Sequence, residues 1–425
     1  LPPMFALIAI LFVLGYAAIA LEHPLKINKA APALLTGMLV WSVLMVAHVG
    51  GEHPLHALDE HLSAIASILF FLLGAMTVVE LMDAHAGFQV ITDRITSSNK
   101  LVLLWVVGFL TFFLSAALDN MTTAIVMCAL LRKMIADKED LWTFSGMVII
   151  AANAGGAWSP IGDVTTIMLW IDGQVTSANI ITKLLLPSLV CLVLPLLWLS
   201  RSMKGSINRP TKATDGHLTN VSKRQQYTVF FIGLFTLLGV PVFKQFTHLP
   251  PFMGIMFGLG ILWVYTEFIH ARGIEERGQL QVTSILRRID HSSILFFLGI
   301  LVAVAGLETA GHLTLLAGWL DSTLGNIFAV NTVIGVLSAI VDNVPLVAAA
   351  QGMYPMTTYP PDHAFWELLA LCAGTGGSIL IIGSAAGVAV MGILGIEFGW
   401  YFKRMALPAT LGYAGGIITF WLMWH

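Results

Sequence analysis

The sequence predicts an all-α polytopic membrane protein with two inverted-topology repeats. It would contain about ten transmembrane helices, two re-entrant helical hairpins and discontinuous helices at the membrane midplane. The 425-residue chain is 57% hydrophobic and only 11% charged, with mean hydropathy +0.85, whereas soluble domains carry roughly 25% charged residues. Many apolar stretches approach the roughly 20 residues that cross a bilayer. An Asp-Asn pair stands at the centre of two such stretches, at Asp119–Asn120 and Asp342–Asn343.

Three sequence blocks recur in the same order in the two halves of the chain. The block SILFFL begins at Ser67 and again at Ser293, an offset of 226 residues. The Asp-Asn pairs follow at an offset of 223, each within the frame Leu-Ser-Ala-x-x-Asp-Asn. The glycine pairs Gly155–Gly156 and Gly376–Gly377 then follow at an offset of 221. Ordered matches at a nearly constant offset indicate an internal duplication.

The apolar stretches define ten predicted crossings in two repeats. The first repeat covers 1–200, the second covers 227–425, and a polar cytoplasmic linker at 201–226 joins them. The predicted crossings are 4–21, 31–49, 63–80, 143–171, 179–199, 227–243, 251–270, 291–310, 364–395 and 404–424.

Two further segments, 99–135 and 326–358, are predicted to be re-entrant hairpins because the Asp-Asn pairs lie at their centres. If each enters and leaves on one side, nineteen of the twenty-one Lys and Arg residues fall in the cytoplasm, where positive charge accumulates. Both termini are then periplasmic. The second arm from Met121 to Leu131 would span about 16 Å as a helix, roughly half of the hydrocarbon thickness. Each Asp-Asn tip is therefore expected near the midplane.

A helix that its own sequence should interrupt follows each hairpin. The predicted helix-breaking residues are Gly155, Gly156 and Pro160 in 143–171, and Gly376 and Gly377 in 364–395. Proline removes a helical hydrogen bond and glycine lowers helix propensity. Irregular backbone is tolerated at membrane depth only where it is buried in protein or lines a cavity, and secondary transporters build their sites from it. Close helix packing at the glycines is the alternative interpretation.

Oxygen-bearing side chains gather at the hairpin tips and helix breaks. One predicted cluster is Asp119, Asn120, Asn153, Asp163, Thr165 and Thr166, and the other is Asp342, Asn343, Thr375, Ser378 and Ser384. Such oxygens suit hard cations, and a carboxylate at membrane depth indicates a functional site by default. The Na⁺ ligands are predicted to be Asp119, Asn120, Asp163, Asp342 and Asn343.

These residue types favour a monovalent cation or a proton as cargo, because no concentration of Lys or Arg lies at depth to hold an organic anion. Burial and a neighbouring acid both raise the pKa of a carboxyl group. One acid can then hold a proton and a metal ion in alternation. We therefore predict a secondary transporter and not an enzyme, with lipid, cations and protons as partners. No cofactor and no nucleic acid are expected.

Several alternatives stay open from the residues alone. Asp and Asn are good helix N-caps, so each pair could simply cap its second hairpin arm, which is compatible with cation binding. A Na⁺-coupled symporter of a small organic or inorganic anion would need a cationic pocket. A passive channel suits broken, inverted halves less well, and an intramembrane enzyme lacks GxSxG or HExxH motifs. The cysteines Cys128, Cys191 and Cys372 lie in apolar segments as core residues.

Three blocks resemble those of NhaD-type sodium/proton antiporters in the ion transporter superfamily: SAALDNMTTAIVM, NAGGAWSPIGDVTTIM and SAIVDNVPLVAA. The resemblance covers essentially the whole chain and implies a bacterial inner-membrane exchanger of Na⁺ or Li⁺ for H⁺, active in pH homeostasis. It is compatible with a homodimer. The functional positions it implies are Asp119, Asn120, Asn153, Asp163, Thr165, Thr166, Asp342, Asn343, Ser378 and Ser384. Dicarboxylate carriers of the superfamily have Ser-Asn-Thr at the tips, and Asp in place of Ser argues against an anionic substrate.

Overall fold

A computed structural model describes residues 3–47, 54–92, 97–208, 221–270, 280–340 and 342–424. Within these residues every regular element is helical. In the first half the helices are α1 (Pro3–Ala20), α2 (Glu22–Leu25), α3 (Ala30–Val46), α4 (Pro54–Ala84), α5 (Gln89–Thr92), α6 (Lys100–Leu118), α7 (Asn120–Met134), α8 (Lys138–Ala157), α9 (Val164–Ile171) and α10 (Ser177–Ser200). In the second half they are α11 (Lys223–Thr247), α12 (Pro251–His270), α13 (Val282–Ile285), α14 (His291–Thr309), α15 (His312–Leu324), α16 (Ile327–Ser338), α17 (Asn343–Met353), α18 (Ala364–Gly376), α19 (Ala385–Leu394), α20 (Phe398–Arg404) and α21 (Ala406–Trp424).

The protein is a multi-pass membrane protein. Seven described helices are long and apolar enough to cross a bilayer, namely α4, α6, α10, α11, α12, α14 and α21, and the number rises to nine if each of two bent helix pairs forms one span. Large apolar side chains face outward, as at Phe246 and Phe268, which are 81% and 76% exposed. Helices that are apolar on all sides suit a lipid surround. The predicted number of ten crossings and the inverted orientation of the repeats stay predictions.

Both predicted hairpin segments divide into two helices at the Asp-Asn pair. Segment 99–135 contains α6 and α7, which contact each other and are separated by Asp119 alone. Segment 326–358 contains α16 and α17, separated by 339–342. In both cases the aspartate side chain accepts a backbone hydrogen bond as the N-cap of the second helix. The 19 residues of α6 equal a full crossing, and the re-entry of both segments stays a prediction.

Helices α15 and α20 lie between the predicted crossings and were not expected from the sequence. Helix α15 meets α16 at 115°, and α19 meets α20 at 119°. Gly325 and Gly395 stand at the ends of α15 and α19 with φ of +71° and +61°. Glycine adopts this left-handed conformation without steric cost, so each helix can end there and the chain can turn sharply.

Helices from the two halves of the chain pack against each other. Helix α3 packs against α14, and α12 packs against α4. Around the site, α17 contacts α9, α19 contacts α7, and α18 contacts α8. Residues 209–220 of the predicted linker lie outside the described residues. The part before them is tied to the first hairpin segment, because Lys100, the first residue of α6, donates its N–H to the carbonyl of Gly205 at 3.0 Å.

Candidate functional site

The site is centred on Asp163, which is only 1% exposed. Helix α8 ends at Ala157, and the irregular residues 158–163 lead to α9, which Asp163 caps. Its Oδ1 accepts from the backbone N–H of Thr165 at 3.0 Å and from the Thr165 hydroxyl at 2.9 Å. Thr166 closes a capping box by accepting from the Asp163 N–H. These local bonds fix the carboxyl group at the helix break.

Asparagine side chains from both hairpin segments converge on this carboxyl group. Asn120, the first residue of α7, donates from Nδ2 to Asp163 Oδ2 at 2.6 Å. Asn343, the first residue of α17, donates from Nδ2 to Oδ2 at 3.3 Å and to Oδ1 at 3.4 Å. The 2.6 Å contact is short and the other two are long, so Asn120 is the stronger donor. One carboxyl group therefore joins both halves of the protein.

Asn153 on α8 extends the network to the second broken helix. Its Oδ1 accepts from Asn120 Nδ2 at 3.0 Å. Its Nδ2 donates to the hydroxyl oxygens of Ser378 and Ser384 at 2.9 and 3.0 Å. Ser378 lies in the break between α18 and α19, and Ser384 caps α19. Members of the two clusters that we predicted separately thus belong to one continuous hydrogen-bonded network.

Three of the predicted site residues have no direct hydrogen bond to this network in the described structure. The carboxylate of Asp119 accepts from the backbone N–H and the hydroxyl of Thr122, at 2.8 and 2.7 Å. The carboxylate of Asp342 pairs with Lys29. Thr375 returns its hydroxyl to the carbonyl of Leu371 within α18. Capping therefore accounts for the hydrogen bonds seen at Asp119, while Asp163 both caps a helix and bonds across the site.

The predicted break at Gly155 and Gly156 is wrong, because α8 continues through both residues to Ala157. The glycines instead permit close packing: a Cβ atom at Gly155 would lie 2.2 Å from the carbonyl oxygen of Phe112, and one at Gly156 would lie 2.4 Å from that of Gly162. Pro160 does lie in the break.

The second glycine pair stands at the end of its helix. Helix α18 ends at Gly376, and Gly377 is its C-cap. A Cβ atom at Gly376 would lie 2.0 Å from the carbonyl oxygen of Gly335, and one at Gly377 would lie 2.8 Å from that of Gly383. Each pair therefore lets one hairpin segment and one irregular loop approach a helix closely.

Sequence reasoning missed the serines that fasten each hairpin segment to its broken helix. Ser115 on α6 donates to the carbonyl of Ala152 at 2.6 Å, and Ser338 on α16 donates to that of Ala373 at 2.8 Å. Both serines stand in the repeated Leu-Ser-Ala frame, and that repetition was the available signal. Lys29 was also missed, since no local pattern connects it to a residue 313 positions away.

Asp119 has a strained backbone, with φ +81° and ψ 158°, a region that suits glycine almost alone and costs other residues about 1–3 kcal/mol. Asp119→Gly is therefore expected to raise the apparent melting temperature in detergent, since glycine at an N-cap costs only a few tenths of a kcal/mol. The control is Asp137→Gly, at the N-cap of α8 with φ −74°, which should lower it. Equal shifts for both variants would contradict backbone strain at Asp119.

Comparisons with known proteins agree over most of the chain. A family model described as "Citrate transporter" matches residues 16–368. A protein of Arabidopsis thaliana named "Sodium/proton antiporter 1" is 48% identical over 97% of this chain and 71% of its own length. "Sodium/proton antiporter 2" of the same plant is 46% identical over 97% of this chain and 98% of its own length. "Na(+)/H(+) antiporter NhaD" of Vibrio cholerae is 32% identical over 98% and 91% respectively.

The chain belongs to the NhaD-type sodium/proton antiporter family. The resemblance inferred from the three sequence blocks is confirmed, since relatives with this name match nearly the whole chain. The citrate-transporter match ends at residue 368, before Ser378 and Ser384. The NhaD-type relatives extend across this part of the site as well, because they cover up to 98% of the chain.

Proposed function

We propose that this protein exchanges Na⁺ or Li⁺ for H⁺ across a membrane by alternating access, with the cation and the proton competing for Asp163. The observation that carries the proposal is the environment of this carboxyl group. It is buried, and its side-chain hydrogen-bond partners are the neutral groups of Thr165, Asn120 and Asn343. No salt bridge to Asp163 occurs in the described part of the chain. An ionised carboxylate buried without a cation is costly, so it binds a metal ion or a proton.

The surrounding oxygens suit coordination of a small monovalent cation. The carboxylate of Asp163, the hydroxyl of Thr165 and the carboxamides of Asn120 and Asn343 are hard ligands. The Nδ2 groups of Asn120 and Asn343 donate to the carboxylate of Asp163 in this structure. To coordinate a cation, each carboxamide would have to turn its oxygen, Oδ1, towards the ion. Among the described residues no three acidic, His or Cys side chains converge as a metal site. A single central carboxylate with neutral ligands favours a monovalent ion.

The origin of these ligands supports the proposal of alternating access. Asn120 belongs to the first hairpin segment and Asn343 to the second, so a shift of either segment would change one side of the site. Broken helices at a midplane site are the usual arrangement for such transport. If more protons than cations move in each cycle, the membrane potential drives cation export, with about 2.3 kcal/mol per charge per 100 mV.

The antiport proposal is tested by proton flux in proteoliposomes that contain the purified protein and an acidic interior. Addition of Na⁺ or Li⁺ outside should dissipate the pH gradient, and addition of K⁺ tests the cation selectivity. The same cations added to protein-free liposomes measure passive leakage. Failure of every cation to release protons between pH 6 and 9 would overturn the proposal.

Competition for one carboxyl group predicts a specific effect of pH on kinetics. Lowering the pH on the side that takes up Na⁺ should raise the apparent KM for Na⁺ with little change in the maximal rate, because a protonated carboxyl group binds no cation. The rise should approach tenfold per pH unit where the protonated form dominates, since each unit changes proton activity by about tenfold. Initial rates at several fixed pH values measure it. A fall in maximal rate at constant KM would contradict direct competition.

The alternative of a Na⁺-coupled anion symporter draws support from the citrate-transporter description of the matching family model. A tricarboxylate or similar anion needs uncompensated cationic groups. The cation found beside the site is Lys29, and its charge is balanced by Asp342. Uptake of labelled citrate or phosphate that depends on Na⁺ would favour this alternative, and proton release by Na⁺ alone favours antiport.

We further propose a plasma-membrane location in which both termini face the periplasm, as the distribution of Lys and Arg predicts. Bacterial relatives carry the name NhaD, whereas relatives from a plant carry the name sodium/proton antiporter. Reporter domains that fold only in the cytoplasm, fused after His425, would test the orientation. Cytoplasmic reporter activity would overturn the predicted topology without affecting the antiport proposal.

A further inference from the structure

The two repeated Asp-Asn tips differ in charge compensation. Lys29, at the start of α3, places Nζ 2.9 Å from Oδ2 of Asp342, and the two side chains are only 20% and 12% exposed. The ammonium group also lies 4.2 Å from the ring centroid of Phe296 on α14, where the ring face attracts a cation. In contrast, the described residues include no salt bridge to Asp119, whose carboxylate bonds to Thr122. A tethered cation thus stands at one tip.

The repeated SILFFL blocks show the same difference between the two halves. The repeated SILFFL block places Phe296 in the second half where Phe70 stands in the first. Phe296 lies against Lys29, whereas Phe70 lies against Phe252 on α12, with ring centroids 6.1 Å apart. Lys29 and Phe252 stand at the start of α3 and α12 respectively, the helices that pack against α14 and α4. The ring of Phe70 therefore contacts a phenyl ring, whereas the ring of Phe296 contacts an ammonium group.

We propose that Lys29 is the resident counter-ion of Asp342, and that the transported cation reaches this carboxylate only by displacing the ammonium group. The inference rests on the proposed cation transport. It adds Asp342, adjacent in the chain to the site residue Asn343, as a second carboxylate that the cation contacts beside Asp163. Lys29 donates to the same oxygen type that would coordinate Na⁺. The ammonium group and the metal ion compete because two positive charges at one carboxylate repel each other. The pair keeps Asp342 neutralised when no transported ion is bound. Lys29 therefore weakens cation binding and speeds cation release, which makes it a residue that determines apparent affinity.

Lys29→Gln separates this role from a structural one. Loss of the competing charge should lower the apparent KM for Na⁺ by about threefold or more, because charge–charge coupling at close range is large. The maximal rate should fall as well, since the cation leaves a bare carboxylate more slowly. Asp342→Asn breaks the same contact from the other side but should raise KM, because a ligand is lost. Lys29→Arg keeps the charge and should restore KM towards the wild-type value.

The matched control is Lys100→Gln. Lys100 pairs with Asp140 at 2.6 Å, with side chains 22% and 13% exposed, and lies away from the site. The Lys100→Gln variant therefore shows the effect of losing an equally buried ion pair, and its KM for Na⁺ should stay at the wild-type value. The rates are measured as uptake of radioactive Na⁺ into proteoliposomes, with the amount of folded protein determined by size-exclusion chromatography.

The possible results distinguish the proposals. A lower KM in Lys29→Gln together with a higher KM in Asp342→Asn supports the resident counter-ion. Equal changes in Lys29→Gln and Asp342→Asn, or an unchanged KM in Lys29→Gln, would overturn it and leave the pair a structural contact. If Lys29→Gln does not fold, Asp342→Asn decides: an unchanged KM in Asp342→Asn overturns the proposal. A raised KM in Asp342→Asn, with a KM near the wild-type value in Lys29→Arg, supports it. Absence of Na⁺-dependent flux in the wild type overturns the proposed function itself.

Discussion

Asp163→Asn is expected to reduce Na⁺-driven proton release at least a hundredfold while leaving the protein folded. Asparagine is as good an N-cap as aspartate, so α9 should still begin at residue 164 and the bonds from Thr165 can be kept. The variant loses the single charge on which Asn120 and Asn343 converge. It can neither bind a proton in the relevant pH range nor neutralise a cation. The measurement is proton release from proteoliposomes on addition of Na⁺.

The control for this result is Asp137→Asn. Asp137 caps α8 in the same manner, with its side chain accepting from the N–H of Asp140 at 2.9 Å, but it is exposed and distant from the network. Its activity should equal that of the wild type. If Asp163→Asn retained full exchange activity, the carboxyl group would be a helix cap only, and the proposed site would be wrong.

Gly376→Ala and Gly155→Ala are expected to abolish accumulation of folded protein. The added Cβ atoms would lie 2.0 Å and 2.2 Å from carbonyl oxygens of Gly335 and Phe112. Backbone atoms of a neighbouring helix cannot rotate away as a side chain does, so α16 or α6 must move as a whole. Overpacking of a core costs about 1–3 kcal/mol even where side chains can adjust. The yield of monodisperse protein in detergent measures the effect.

The matched control is Gly260→Ala on α12, where no atom lies within 4 Å of the added Cβ. Alanine is favoured over glycine within a helix by roughly 0.5–1 kcal/mol, so this variant should be at least as stable as the wild type. Normal yield and activity for Gly376→Ala would show that α16 and α18 do not need this close approach. The glycine pair would then have no packing role.

Local sequence patterns predicted much of the architecture. The ends of the apolar stretches predicted most long helices within a few residues, since helix length and apolar composition are both local properties. Asp119, Asp163 and Asp342 were each expected where a helix starts or breaks, and each is an N-cap. The break at Gly155 was wrong because its neighbour Phe112, on another helix, determines what the glycine does. Local propensity contains no information about such a neighbour.

The candidate site was predicted in its members but not in its arrangement. We grouped the oxygens by repeat, whereas the structure joins Asn343 to Asp163 across 180 positions and Asn153 to Ser384 across 231. Interleaving of the two halves brings them together, and it depends on packing between helices distant in sequence. Asp119 and Asp342 make no direct hydrogen bond to this network in the described structure. Our prediction treated the three carboxyl groups alike and did not distinguish Asp163 from the other two.

The sequence by itself determined the membrane class, the duplicated blocks, the positions of the helix breaks near the Asp-Asn pairs, and the family. These follow from composition, short-range propensity and motif identity. Only the tertiary structure decided that Asp163 is the shared centre, that Lys29 compensates Asp342, and that the glycines serve close packing. The reason is physical: a carboxylate is defined by the charges and donors within about 4 Å of it, and here those groups come from residues up to 313 positions away.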